Sequence, residues 1–283
     1  MTAARPAGPG RRIPVVDAHC HAGLGDGFHA PWDTEARLEP YLARAEAAGI
    51  DLTVVFPVFN SDYAAANDRL ARIVDRRPDR LIGFASIDPA RDVRRTERMI
   101  GRAVEVLGFR GIKVHGHDSL PGRSVCEAAR RWGLPILVDV VRRPAVVEML
   151  ADQYPDVNLI VPHLGGFADD WAVFRQVIDQ ITRLPNVYAD TSGVRYFDAL
   201  AEAVRRAGPG KVIFGSDGPQ LHPGVELRKV ELLELPPRAQ ALVTGGTILR
   251  LLGPGSAVTK EARAGHAPAR TALTRCRDGR CGH

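Results

Sequence analysis

Long apolar runs are missing from this chain. No stretch approaches the ~20 consecutive apolar residues that a bilayer-crossing helix needs, so no membrane partner is expected. Cysteine is scarce: Cys20, Cys126, Cys276 and Cys281 are the only four in 283 residues, too few for a disulfide scaffold. Cys20 and Cys126 are expected to be reduced and buried. Residues 1–12 have no apolar core and do not read as a secretory signal, so the expected compartment is the cytoplasm. The glycines of Gly23-Leu-Gly-Asp-Gly27 do not fit the G-x-G-x-x-G spacing, which argues against a dinucleotide-binding open sheet. The body also lacks an excess of basic charge. The net charge is +5, but residues 1–12 contribute +3 and residues 253–283 contribute +4, leaving −2 between them. A basic pI of this origin is no argument for a nucleic-acid partner.

What is present is an ordinary globular balance, 45% apolar and 25% charged. Short apolar runs alternate with longer amphipathic ones. The first kind falls at 13–23, 52–58, 81–88, 109–115, 135–141, 157–163, 186–191 and 211–217 and reads as eight strands. Between them, residues 34–48, 62–77, 92–106, 123–132, 144–153, 169–184 and 196–207 carry apolar side chains at helical spacing. Ser61 marks one helix start, and Gly49, Gly108, Gly133 and Gly208 lie just past helix ends. Residues 237–252 read as a closing helix. Near-continuous apolar strands separated by helices predict a parallel sheet covered on its outside. The fold expected is a (β/α)8 TIM barrel over residues 13–252. Residues 1–12 are expected to be a flexible segment and residues 253–283 a disordered basic tail.

Active sites of such barrels sit at the C-terminal ends of the strands. Those ends are polar here. The first strand carries Asp17, His19 and His21, which strict alternation would place on one face with Cys20 on the other. The fourth strand ends in Lys113 and His115, the fifth in Asp139, the sixth in His163 and the eighth in Asp217. Closure would bring the eighth strand beside the first, so Asp217 can meet His19 and His21. Two imidazoles and a carboxylate around one point suit a divalent cation. By spacing alone the two histidines read equally well as polar residues entering a loop; the convergence tips the balance towards ligation. Asp17 reads as structural support.

Five stretches carry a resemblance: Val16-Asp-Ala-His-Cys-His21, Gly108-Phe-Arg-Gly-Ile-Lys-Val-His115, Pro162-His-Leu-Gly-Gly166, Val212-Ile-Phe-Gly-Ser-Asp217 and Gly245-Gly-Thr-Ile-Leu-Arg-Leu-Leu252. Together they resemble the amidohydrolase superfamily, in the amidohydrolase-related group that also holds metal-dependent decarboxylases. The resemblance implies a barrel with one or two divalent metals, zinc first and manganese as an alternative. It departs from the family pattern at one place: Leu134-Pro-Ile-Leu-Val-Asp139 puts a carboxylate where the family usually has a histidine ligand.

The expected roles follow. His19, His21 and Asp217 are metal ligands, with His163 either a ligand or an acid–base group and Asp139 either a ligand or the ion-pair partner of Lys113, the pair being preferred. Asp217 and His163 are the catalytic candidates. Lys113, His115, Arg195, Trp32 and His222 are the substrate-binding candidates. The leading activity is hydrolysis of an amide, ester or lactone of a small, anionic substrate through a metal-activated water. The alternative is decarboxylation on the same site, a carbon–carbon lyase reaction. A third reading, a degenerate barrel that only binds, is favoured by Asp139 and opposed by the intact His19, His21 and Asp217. A small-molecule substrate is the expected partner, and oligomeric state is left open, a homo-oligomer included.

Overall fold

The computed structural model describes residues 12–28, 35–166 and 170–253. Trp32, Cys276 and Cys281 therefore lie outside the described residues, as do most of the two end segments. The strands in chain order are β1 Val16–Leu24, β2 Glu35–Ala36, β3 Leu52–Pro57, β4 Leu81–Ser86, β5 Gly111–Val114, β6 Ile136–Val138, β7 Leu159–Val161, β8 Val187–Asp190 and β9 Val212–Ile213. Each of the eight long-range strands pairs in parallel with the next, in the order β1-β3-β4-β5-β6-β7-β8-β9, and β2 adds antiparallel to the end of β1. The sheet then closes on itself. Ala18 N–H donates to the Phe214 carbonyl (3.0 Å), Asp217 N–H to that of His19 (2.8 Å) and His21 N–H to that of Gly218 (2.6 Å). These bonds join the chain after β9 to β1 and complete the expected (β/α)8 barrel.

All seven expected helices form outside the sheet: α1 Leu38–Ala47, α2 Tyr63–Arg76, α3 Thr96–Glu105, α4 Arg123–Trp132, α5 Ala145–Gln153, α6 Trp171–Arg183 and α7 Phe197–Ala207. Asp62, one residue after the expected start, caps α2 by accepting from Ala64 and Ala65 N–H (3.1 and 3.4 Å). Ser61 is otherwise engaged, its hydroxyl donating to Asp26 (2.5 Å). Gly133 ends α4 in the left-handed region at φ 62°, which a residue without Cβ adopts freely. An eighth helix, α8 Pro223–Glu231, was not expected; Gly224 in its first turn masks the pattern. The closing segment forms α9 Pro237–Ala241, a π turn Leu242–Gly246 and α10 Thr247–Leu251. Among the described residues no helix is long and apolar enough to cross a membrane. Cys20 and Cys126 are free and buried.

The barrel interior below the site is filled by Val16, Ala18, Val54, Phe56 and Phe84, with Ile248 and Leu251 of α10 closing that end. A larger apolar layer, which includes Cys20, Ala22 and Tyr41, packs the sheet against the helices. The parity of β1 therefore changes within the strand: Ala18 faces inward, Cys20 outward. The cause is a register shift between Asp17 and Cys20 against β3, a bulge that adds a residue to one strand. Asp17 thus does not share a face with His19 and His21. It turns towards α1, where Tyr41 Oη donates to it (2.5 Å), and it also accepts from Ser216 N–H (2.8 Å) and His19 N–H (3.1 Å). Its role is the structural one expected, from the other side of the strand.

Gly245 packs directly on β1's approach. A Cβ there would lie 2.0 Å from the Pro14 carbonyl oxygen, a backbone atom that cannot swing away. Gly245→Ala is expected to lose about 1–3 kcal/mol of stability through overpacking, measured by urea denaturation. A variant as stable as the parent would show that the closing segment is not tightly seated.

Candidate metal centre

Four of the strand-end residues meet at one end of the barrel. His19 Nε2 lies 3.3 Å from Asp217 Oδ1, and His21 Nε2 lies 3.2 Å from the same oxygen. The His19 and His163 rings are 5.0 Å apart between centroids. Asp217 and His163 both sit at positive φ, 59° and 58°, just past their strands. Such backbone is uncommon for residues other than glycine, asparagine and aspartate, and here it turns both side chains over the barrel mouth.

Asp190, the last residue of β8, frames this corner. Its Oδ2 lies 2.8 Å from His19 Nδ1, while its Oδ1 accepts from His163 N–H (3.0 Å), Ser192 N–H (3.0 Å) and Ser192 Oγ (2.6 Å). Burial works to raise the Asp190 carboxyl, but His19, His163 and Ser192 outweigh it and hold it at about 2. Asp190 is therefore ionised, and His19 Nδ1 must be the donor. The proton on Nδ1 leaves Nε2 as a bare lone pair. That atom is buried and has no hydrogen-bond partner. It faces a carboxylate, acceptor against acceptor, which only a cation between them resolves. Burial, aided by the charge of Lys113, lowers His19 to about 4, so protonation is not the answer. Burial opposes ionisation of Asp217, yet His21, His19 and His163 hold its carboxyl well below the usual range. The set His19, His21 and Asp217 thus fits a divalent metal. A second cluster, His19, His163 and Asp190, is geometrically close. In it Asp190 is already engaged by His19 Nδ1 and His163 N–H, so it serves as the hydrogen-bonding frame of the first.

His163 Nδ1 lies 2.8 Å from the Ser192 carbonyl, which accepts only, so Nδ1 is the donor of that pair. Glu226 of α8 holds the same loop by accepting from Gly193 N–H (3.0 Å). Asp190 and Ser192 were not singled out from the sequence. The signal was there: Asp190 is a polar residue ending a barrel strand, as His163 is.

The centre opens into a cavity of about 470 Å³ lined by His19, His21, His163 and Asp217 together with Lys113, His115, Asp139 and Phe59. His115 stacks on His21 (centroids 5.5 Å apart) and lies 4.2 Å from Phe59. Burial, then Lys113, push it well below its usual value, so it is neutral. The preferred Lys113–Asp139 ion pair does not form. Asp139 accepts instead from Val141 N–H (3.0 Å), and the Lys113 ammonium lies 4.7 Å over the Phe56 ring. Asp139 lines the cavity but joins neither cluster of metal-ligating groups. Arg195 is exposed and not among the residues lining this cavity. His222 is at α8, where its Nδ1 accepts from Gly224 N–H (3.2 Å), and it lines a different depression.

The profile of the Amidohydrolase family matches residues 16–253. No curated protein matches the sequence. Among solved structures, 5-carboxyvanillate decarboxylase from Sphingomonas paucimobilis superposes with a TM-score of 0.68 at 17% identity, covering 85% of this chain and 99% of that one. 2,6-Dihydroxybenzoate decarboxylase from Rhizobium gives 0.68 at 16% identity, covering 85% and 98%. Dihydroxybenzoic acid decarboxylase from a Polaromonas species, with bound manganese and 2-nitroresorcinol, gives 0.63 at 16%, covering 85% and 97%.

Proposed function

Because the chain belongs to the amidohydrolase family, we propose that it is a metal-dependent lyase that removes CO₂ from a small aromatic carboxylate. The observation that carries the reading is the cavity: a metal-fitting corner shares it with the packed rings of Phe59 and His115, an aromatic wall that suits a planar ring. The solved structures of similar fold named above are decarboxylases of aromatic acids, which supports the reading. His19, His21 and Asp217 would hold the ion, manganese as in the Polaromonas structure or the zinc expected from the residue types. When bound, it supplies positive charge against an anionic substrate and against electron density that builds during reaction.

In this reading a proton adds to the ring carbon that bears the carboxylate. The carbon–carbon bond then breaks, its electron pair restores the aromatic ring, and CO₂ leaves; no oxidant or water is consumed. Asp217 opens onto the cavity with 15% of its side chain exposed and is the group placed to carry that proton from solvent. It is ionised between turnovers, and an arriving substrate anion raises its proton affinity. His163, held through Nδ1 by the Ser192 carbonyl, lines the cavity and orients a polar substituent.

Hydrolysis of an amide, ester or lactone is the second reading. It is favoured by the same ionised Asp217, a ready base for water beside a metal corner. Both are tested together. The full chain, loaded separately with Mn²⁺ and Zn²⁺, is given 2,6-dihydroxybenzoate and 5-carboxyvanillate with CO₂ detection, and an aryl lactone and an aryl ester with acid titration. Metal-dependent CO₂ release is expected. Acid release from the lactone or ester without CO₂ from either acid would assign hydrolysis instead.

A further inference from the structure

We infer that Lys113 selects the substrate by charge, pairing with the carboxylate of an acid that enters the cavity; the inference rests on the metal-dependent reading above. Lys113 belongs to β5, whose neighbours Ile112 and Val114 face the helix layer, so its side chain enters the barrel interior. It is 1% exposed. No hydrogen bond or ion pair joins its ammonium to another described residue. A ring face at 4.7 Å is its nearest compensation, and a cation–π contact of that kind does not replace the hydration an ammonium loses on burial. Burial accordingly lowers its proton affinity, while Asp139, Asp190 and Asp217, in that order, act to keep it charged from a distance.

Each of those three carboxylates is engaged elsewhere and none meets it. Asp190 is held by His19, His163 and Ser192, Asp217 faces His19 and His21, and Asp139 is tied to Val141 N–H. Two residues along the same strand face, His115 also lines the cavity, buried, with Nε2 unpartnered. A lysine and a neutral imidazole, both buried and both short of partners, therefore border the cavity beside Phe59. The missing contact names the ligand's sign. Asp139 and Asp217 line the cavity with Lys113 but neither meets its ammonium, and Arg142 is answered outside the cavity by Asp170 at 3.4 Å. A substrate carboxylate gives the buried ammonium the charged hydrogen-bond acceptor it lacks, which a neutral amide, ester or lactone does not.

The test is a pair of isosteric probes, benzoate and benzamide, titrated calorimetrically into the Mn²⁺-loaded full chain and its Lys113→Met and Lys113→Arg variants, with metal content measured on each. The wild type is expected to prefer benzoate. Lys113→Met should keep its metal, lose benzoate affinity at least tenfold and leave benzamide unchanged, and Lys113→Arg should recover part of the benzoate affinity. Equal affinity of the wild type for both probes overturns the inference even if no variant folds. So does benzoate binding unaffected by Lys113→Met, or loss of metal in that variant, which would make Lys113 part of the metal site. A wild type that prefers benzoate through Lys113 yet releases no CO₂ from any acid would sink the lyase reading and leave this inference standing.

Discussion

Asp217→Asn is expected to lower turnover by about 10²–10⁴-fold in the metal-loaded chain, the range a positioned proton carrier contributes. The substitution is a clean one. Asp217 sits at φ 59°, a region that asparagine tolerates almost as well as aspartate, so the backbone after β9 should not rearrange. The amide oxygen can still face His19 Nε2 and His21 Nε2, now 3.3 and 3.2 Å from the carboxylate oxygen. What the amide cannot do is accept and release a proton near neutral pH. Metal content, measured by elemental analysis, is therefore expected to fall less than turnover. Asp217→Val is the contrasting variant: it removes the ligand and forces a β-branched residue into left-handed backbone, so both metal and stability should suffer. Near-normal turnover by Asp217→Asn would remove Asp217 from the chemistry in either the lyase or the hydrolase reading.

The barrel was legible because each of its parallel strands is a compact apolar run and each of seven helices repeats at helical spacing. Both patterns are local. The convergence of His19, His21, His163 and Asp217 was legible for a related reason: once the order of strands is known, closure dictates which strand ends are neighbours. The reading was less successful wherever direction mattered more than position. Strict alternation put Asp17 beside His19 and His21, but the bulge between Asp17 and Cys20 reverses the parity, and nothing in Val16-Asp-Ala-His-Cys-His21 announces a bulge. Lys113 and Asp139 were placed on adjacent strands, which they are, yet the turn after β6 commits the Asp139 carboxylate to Val141 N–H. Arg195 and His222 follow strands, as expected, but loops do not fix where a side chain points, and His222 was drawn off to cap α8. Asp190 was overlooked because the one partner in its own stretch, Ser192, makes only an ordinary turn contact with it. Its histidine partners are 27 and 171 residues away.

That long-range frame carries the other large effect. Asp190→Asn is expected to weaken metal binding by about 10–100-fold, the usual consequence of losing the group that orients a ligating histidine. The three donors on Oδ1, namely His163 N–H, Ser192 N–H and Ser192 Oγ, need an acceptor and will recruit the amide oxygen to that side. The amide nitrogen then takes the place of Oδ2, 2.8 Å from His19 Nδ1. Two N–H groups cannot face each other, so Nδ1 must become the acceptor and the ring proton must move to Nε2. Nε2 is the atom that faces Asp217, and with a proton on it the lone pair that would meet the metal is gone; a proton can bridge to Asp217 in the metal's stead. The variant therefore keeps its packing and most of its hydrogen bonds while its imidazole is held in the wrong tautomer, the same logic by which an aspartate-to-asparagine change disables the histidine of a serine protease triad. Asp190→Ala differs in kind: it orphans all four buried donors at about 1–3 kcal/mol each before relaxation, so it should lose stability as well as metal. Chelator competition against Mn²⁺, with thermal melting of the metal-free chains alongside, separates the two variants. Wild-type metal affinity in a folded Asp190→Asn chain would mean that His19 does not ligate through Nε2, and the centre built on His19, His21 and Asp217 would have to be abandoned.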